Sequence, residues 1–128
     1  MPHTLIIDST STTPEILLDA KEGVFKIIGT SMAEDAVGFF MPVIDWLKEY
    51  AKEPNEKTHV EFKMNYFNTA SSKLIWEIMT LFQQIQNNGS QVKIDWIFQD
   101  DDEEMEEAGE IYAERMDIPI NLIIDENN

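Results

Sequence analysis

Val60–Ile85 reads V-E-F-K-M-N-Y-F-N-T-A-S-S-K-L-I-W-E-I-M-T-L-F-Q-Q-I. Its hydrophobic period changes midway. Val60 to Phe67 alternates with period two, the signature of a half-buried strand. Leu74, Ile75, Ile78, Met79, Phe82 and Ile85 then fall on one face of a helix. The joint between them, F-N-T-A-S-S-K over Phe67–Lys73, crowds Thr69, Ser71 and Ser72 into the helix start. A helix N-terminus has unpaired N–H groups and a partial positive charge. It suits a capping side chain, and equally a phosphate. Both readings of Thr69 stand at this point: an N-cap, or a regulatory phosphoacceptor.

The strand-to-helix alternation extends in both directions. Downstream, Gly89 stops the helix after Asn88, and Val92–Phe98 alternates as a second strand. Met105, Ala108, Ile111, Tyr112 and Met116 mark another helix, which Pro119 ends, and Ile120–Ile124 makes a last short strand. Upstream, Thr58–Met64 begins the central strand after a loop carrying Pro54 and Asn55. Before the loop, Ser31 and Glu34 have capping-box spacing. They place a helix start at Ser31, followed by Val37, Phe40, Met41, Ile44 and Leu47. Pro42 inside that pattern predicts a kink near Phe39 or a start close to the proline. Val24–Ile28 reads as a strand between Gly23 and Gly29. Thr4–Ile7 and Ile16–Leu18 form a hairpin across the turn-rich D-S-T-S-T-T-P-E. The expectation is an α/β fold: one domain over residues 1–128, a mixed β-sheet with an N-terminal hairpin, and three crossover helices.

Composition narrows function by exclusion. The chain has 128 residues, no cysteine, and 25 acids against 9 bases, for a net charge of −16. Disulfides and thiolate chemistry are absent, and such a field repels nucleic acid and anionic membranes. No run reaches transmembrane length and no secretory leader is recognisable, so a cytoplasmic location is expected. The five glycines are isolated, which leaves nucleotide binding without a motif, and no cofactor is expected. His3 and His59 are the only histidines and read as ordinary sheet residues.

Asp100–Glu107, D-D-D-E-E-M-E-E, holds seven acids in eight residues. The helix dipole accounts for those nearest a helix start. A calcium loop is disfavoured, because the mid-loop glycine and the twelfth-position glutamate of an EF-hand are missing. No metal site is assigned. A docking face for a basic partner surface is the third reading, at the sheet edge where parallel strands end. Trp46, Trp76 and Trp96 are first read as core, although Trp76 lies off the main stripe and suits an interface anchor.

Three blocks carry a family resemblance. Gly29–Tyr50 reads G-T-S-M-A-E-D-A-V-G-F-F-M-P-V-I-D-W-L-K-E-Y, Phe62–Lys73 reads F-K-M-N-Y-F-N-T-A-S-S-K, and Asp100–Glu110 reads D-D-D-E-E-M-E-E-A-G-E. In this order they resemble the SiaC family of bacterial regulatory phosphoproteins, small domains related in shape to STAS anti-anti-sigma factors. The resemblance implies a STAS-like domain that is not an enzyme. It implies that Thr69 is the phosphoacceptor of an anti-sigma-type kinase and that a PP2C-like phosphatase reverses the reaction. It also implies that the unphosphorylated form activates an output partner, a diguanylate cyclase in the family's best-known system. Ala70 departs from the family's usual serine. Asn68, Ser71, Ser72, Lys73 and Trp76, with Asp100, Asp101, Asp102, Glu103 and Glu104, are the candidate partner-facing residues. The alternatives are a constitutive acidic interaction subunit, with Thr69 only a cap, and a small metal-dependent enzyme using its carboxylates.

Overall fold

In the computed structural model, which describes residues 2–126, six strands form one mixed sheet in the order β1-β2-β3-β4-β5-β6. β1 (Leu5–Ile7), β2 (Glu15–Asp19) and β3 (Val24–Ser31) pair antiparallel as a meander. β4 (Lys57–Phe67), β5 (Gln91–Gln99) and β6 (Ile120–Asp125) continue the sheet in parallel. Each parallel step requires a crossover, supplied by α1 (Ala36–Lys52), α2 (Thr69–Asn87) and α3 (Glu103–Arg115). Because the strands add in one direction and such crossovers are right-handed, all three helices lie on the same face. Residues 1, 127 and 128 lie outside the described residues.

Register sorts the side chains. Ile16, Ile27, Phe62, Trp96 and Leu122 share one row and point toward the helices. Ile16, Ile27 and Phe62 are fully buried there and Trp96 nearly so. The next row, Leu17, Lys26, Glu61, Asp95 and Asn121, faces away. On that second face His59 meets Asp95 at 2.6 Å and Lys63 meets Asp125 at 3.0 Å. The helix side of the core is aromatic: Phe62 stacks on Trp96 at 5.7 Å, and Phe25 packs against Tyr50 at 5.2 Å. Burying each such side chain contributes about 1.5–3 kcal/mol.

Three expectations change. Ser31 does not open the first helix. It is the last residue of β3 and is fully buried, while Asp35 caps α1 by accepting from the Gly38 N–H at 2.9 Å. The capping-box spacing falls on a strand end instead, where the buried Ser31 hydroxyl pairs with that of Ser71 in the first turn of the helix after β4. α1 does not begin close to Pro42: it starts at Ala36 and continues to Lys52 with the proline inside. Val37 and Met41 are exposed, and the inward stripe of α1 is Phe40, Val43, Ile44, Leu47 and Tyr50.

α3 reaches the sheet through a glycine. A Cβ on Gly109 would sit 2.4 Å from Cδ1 of Trp96 and 2.5 Å from Cδ2 of Leu122. The bare backbone lets the helix settle onto the indole, whose Nε1–H donates to the Met105 carbonyl at 2.8 Å. The inward stripe of α3 is therefore Met105, Gly109 and Tyr112, with Met116 just beyond the helix end.

Candidate functional site

The site lies where β3, β4 and β5 end. Thr69 follows β4 at the first residue of α2, but it is not the cap. Asn68 is extended (φ −81°, ψ 175°), and its side chain accepts from the Ser71 N–H at 2.8 Å. The Asn68 N–H donates to the Ser31 carbonyl at 3.0 Å, which ties the helix start to the end of β3. Asparagine at this position takes one of the orphan donors of the first turn. Thr69 is thus relieved of capping. It is exposed, and within the described residues no hydrogen bond engages its hydroxyl.

The neighbouring hydroxyls differ sharply. Ser71 is 0% exposed; its Oγ lies 2.7 Å from that of Ser31 and donates to the Ser31 carbonyl at 3.2 Å. It holds the α2 start against β3 and presents nothing to a partner, which corrects its place among the partner-facing residues. Ser72 is half-buried and donates to the Thr69 carbonyl at 2.6 Å. Lys73 is exposed, one helical turn after Thr69.

Beside Thr69 an open groove of about 470 Å³ runs between α2 and α3. Ser72, Lys73 and Trp76 form one wall and Ala108, Ile111 and Tyr112 the other, with Phe67 at the end of β4. Trp76 is 40% exposed and Ile111 50%. The rings of Trp76 and Tyr112 meet at 6.0 Å across the groove. Burial pushes the Tyr112 phenol up to about 12, so it is neutral throughout the ordinary pH range.

The acidic run begins at the same edge of the sheet. Asp100 and Asp101 are exposed in the turn after β5. Asp102 caps α3 by accepting from the Met105 N–H at 3.2 Å, and Glu103 and Glu104 stand exposed in its first turn. Carboxylates here are favoured by the dipole. Among the described residues, no group of three or more His, Asp or Glu side chains is placed to hold a metal ion. No described helix is long and apolar enough to cross a membrane.

The sequence reading missed the wall formed by Ala108, Ile111 and Tyr112. It had placed Ile111 on the core stripe. A usable signal was present: Met105, Gly109, Tyr112 and Met116 are spaced i, i+4, i+7, i+11, and Ile111 falls outside that stripe.

Residues 7–125 match the family of SiaC family regulatory phosphoproteins. The chain belongs to the SiaC family. A Pseudomonas aeruginosa protein of strain UCBPP-PA14, itself uncharacterised, is 27% identical over 118 residues, covering 92% of this chain and 94% of that one. A solved structure of SiaC of Pseudomonas aeruginosa is similar with a TM-score of 0.88 at 24% identity, covering 97% of this chain and 100% of that one. A chain in the crystal structure of the Pseudomonas aeruginosa diguanylate cyclase SiaD in complex with its activator SiaC matches with a TM-score of 0.87. That match is 26% identical and covers 94% of this chain and 99% of that one. The mixed sheet with three helices on one face is thus the SiaC fold. Within it, Gly109 lets the α3 backbone pack directly on the Trp96 and Leu122 side chains.

Proposed function

We propose that this SiaC family protein is a phosphorylation-controlled adaptor, not an enzyme, in a bacterial partner-switching system. Its unphosphorylated form binds and activates a diguanylate cyclase. An anti-sigma-type kinase phosphorylates Thr69 and ends that binding, and a PP2C-like phosphatase restores it. The observation that carries this reading is the division of labour at the start of α2. Asn68 caps, Ser71 is buried as a fastener, and Thr69 is left exposed with an unengaged hydroxyl beside an apolar groove. A constitutive subunit would need no such free hydroxyl there.

The chemistry of the switch follows from the position. Phosphate adds about −1.5 to −2 charge at neutral pH. The first-turn N–H groups of α2 and the Lys73 ammonium one turn on can accommodate it, so the fold survives. A partner contact cannot accommodate it as easily. Moving a hydrated dianion into an apolar contact without a matched cation carries a large desolvation cost. The modification therefore acts on the interface and spares the core.

The test uses the cognate kinase with MgATP, followed by peptide mapping and cyclase assays. Phosphate should appear predominantly on Thr69, and the phosphorylated chain should no longer stimulate the cyclase. Thr69→Ala should stimulate and resist the kinase; Thr69→Glu should fold and fail to stimulate. Phosphate mapped mainly to Ser9, Thr10 or Ser72, or full stimulation by the phosphorylated chain, would overturn the assignment.

A further inference from the structure

We infer that the groove between α2 and α3 is a seat for an amphipathic helix of a partner protein, one with an apolar ridge and basic flanks. The inference rests on the adaptor reading for the existence of a partner, but its geometry stands on the groove alone.

Shape selects the apolar ridge. Trp76 and Ile111 face each other from two helices that both begin at the same edge of the sheet, and both are largely exposed. Two helices lying side by side on a sheet present a channel into which the side-chain ridge of a third can fit. The groove is open to solvent and lacks the buried convergent polar groups that orient a small-molecule ligand.

Charge selects the flanks. α3 carries six acids, Glu103, Glu104, Glu106, Glu107, Glu110 and Glu114, against one base, Arg115, at its far end. Glu104 and Glu107 are exposed one turn before Ala108 and Ile111, which places their carboxylates on the same side of α3 as that wall. On the α2 side the one charged lining residue among the described residues is Lys73. An acidic or neutral helix would bring no countercharge to α3, whereas lysines or arginines flanking the ridge would meet its carboxylates and speed the encounter. Thr69 sits one turn before Ser72 and Lys73, which line the α2 wall. A phosphate there stands at one end of the seat.

The experiment measures fluorescence anisotropy of a labelled synthetic helix, leucines at i, i+3, i+4 and i+7 and lysines elsewhere, against the full chain. The control peptide has the same composition with the leucines scattered around the helix. The ridge peptide should bind and the scattered one should not. Ile111→Glu should weaken binding by about tenfold or more, as loss of a central anchor does, with an unchanged melting curve. That variant adds negative charge, so a merely electrostatic association would tighten instead. Ala108→Trp, which fills the groove, should act in the same direction. Combining Glu104→Gln, Glu107→Gln and Glu110→Gln should flatten the salt dependence.

Equal binding of both peptides, or an Ile111→Glu variant that binds as the natural chain does, would overturn the inference. So would a concentration-dependent dimer that Ile111→Glu dissolves, since a second copy would then be the occupant. These failures leave the switch standing, because phosphorylation of Thr69 and cyclase stimulation are read on the unsubstituted chain. A chain that never accepts phosphate on Thr69 but binds the ridge peptide would reject the switch and keep the groove.

Discussion

Asn68→Ala and Thr69→Ala are adjacent substitutions with opposite expected outcomes. Asn68→Ala removes the side-chain oxygen that accepts from the Ser71 N–H at 2.8 Å. Loss of a cap of this kind costs about 0.5–2 kcal/mol. Ser71 is fully buried, so water cannot readily replace the lost acceptor and the upper half of that range applies. In a chain of 128 residues, about 1–2 kcal/mol corresponds to a fall in Tm of roughly 3–10 °C. Thr69→Ala removes an exposed hydroxyl that bonds to nothing among the described residues, and alanine is the better helix former. Its stability should stay within about 0.5 kcal/mol of the natural chain. Had Thr69 been the cap, it would have carried the larger cost. Function should separate the other way. Thr69→Ala should abolish phosphorylation, while Asn68→Ala, assayed well below its Tm, should remain a kinase substrate. Urea melts of both variants alongside the unsubstituted chain measure the first contrast, and radiolabelled phosphate transfer measures the second. A Thr69→Ala chain that loses as much stability as Asn68→Ala would refute the assignment of the cap.

Three further outcomes are expected. Gly109→Ala should destabilise by about 1–2 kcal/mol in urea melts. The overpacking cost against the buried Trp96 ring, about 1–3 kcal/mol, exceeds the gain in helix propensity of up to about 1 kcal/mol; a raised Tm would show that α3 can lift off the sheet freely. The Tyr112 phenol is raised by burial from 10.0 to about 12, so above pH 10 the unfolded chain releases a proton that the folded chain retains. Its contribution is intact below pH 10 and is lost as pH rises toward 12; Tyr112→Phe should flatten that part of the stability profile, and identical profiles would reject the shift. Neutralising Asp100, Asp101, Glu103 and Glu104 to their amides, with the cap Asp102 kept, should slow association with the cyclase at low salt and leave melting nearly unchanged; an unaltered association rate would reduce these acids to helix-dipole partners.

Much of the fold was legible because each element carries its own period. The change at Phe67 from alternation to a helical stripe marks the β4–α2 joint. The order of strands and helices, with the hairpin first, is enough to call a mixed sheet with crossovers. Thr69 was legible as a residue at a helix start. Its freedom from capping was not. Cap identity depends on which residue turns its side chain back to the first-turn N–H groups, and Asn68 is extended because its N–H is held by Ser31, 37 positions earlier in the chain. Ser31 escapes local reading for the same reason: a serine three residues before a glutamate satisfies a local rule, but its hydroxyl is committed to Ser71 in the first turn of α2. The groove was beyond local reading altogether. Its walls come from residues 67–76 and 108–112, which meet only because the sheet sets β4 beside β5. Periodicity determines what a segment becomes, since a helix or strand needs only its own neighbours to reveal its buried face. Which side chains remain free after folding is decided by partners distant in sequence, and that is what leaves the Thr69 hydroxyl and the Trp76 and Ile111 side chains exposed.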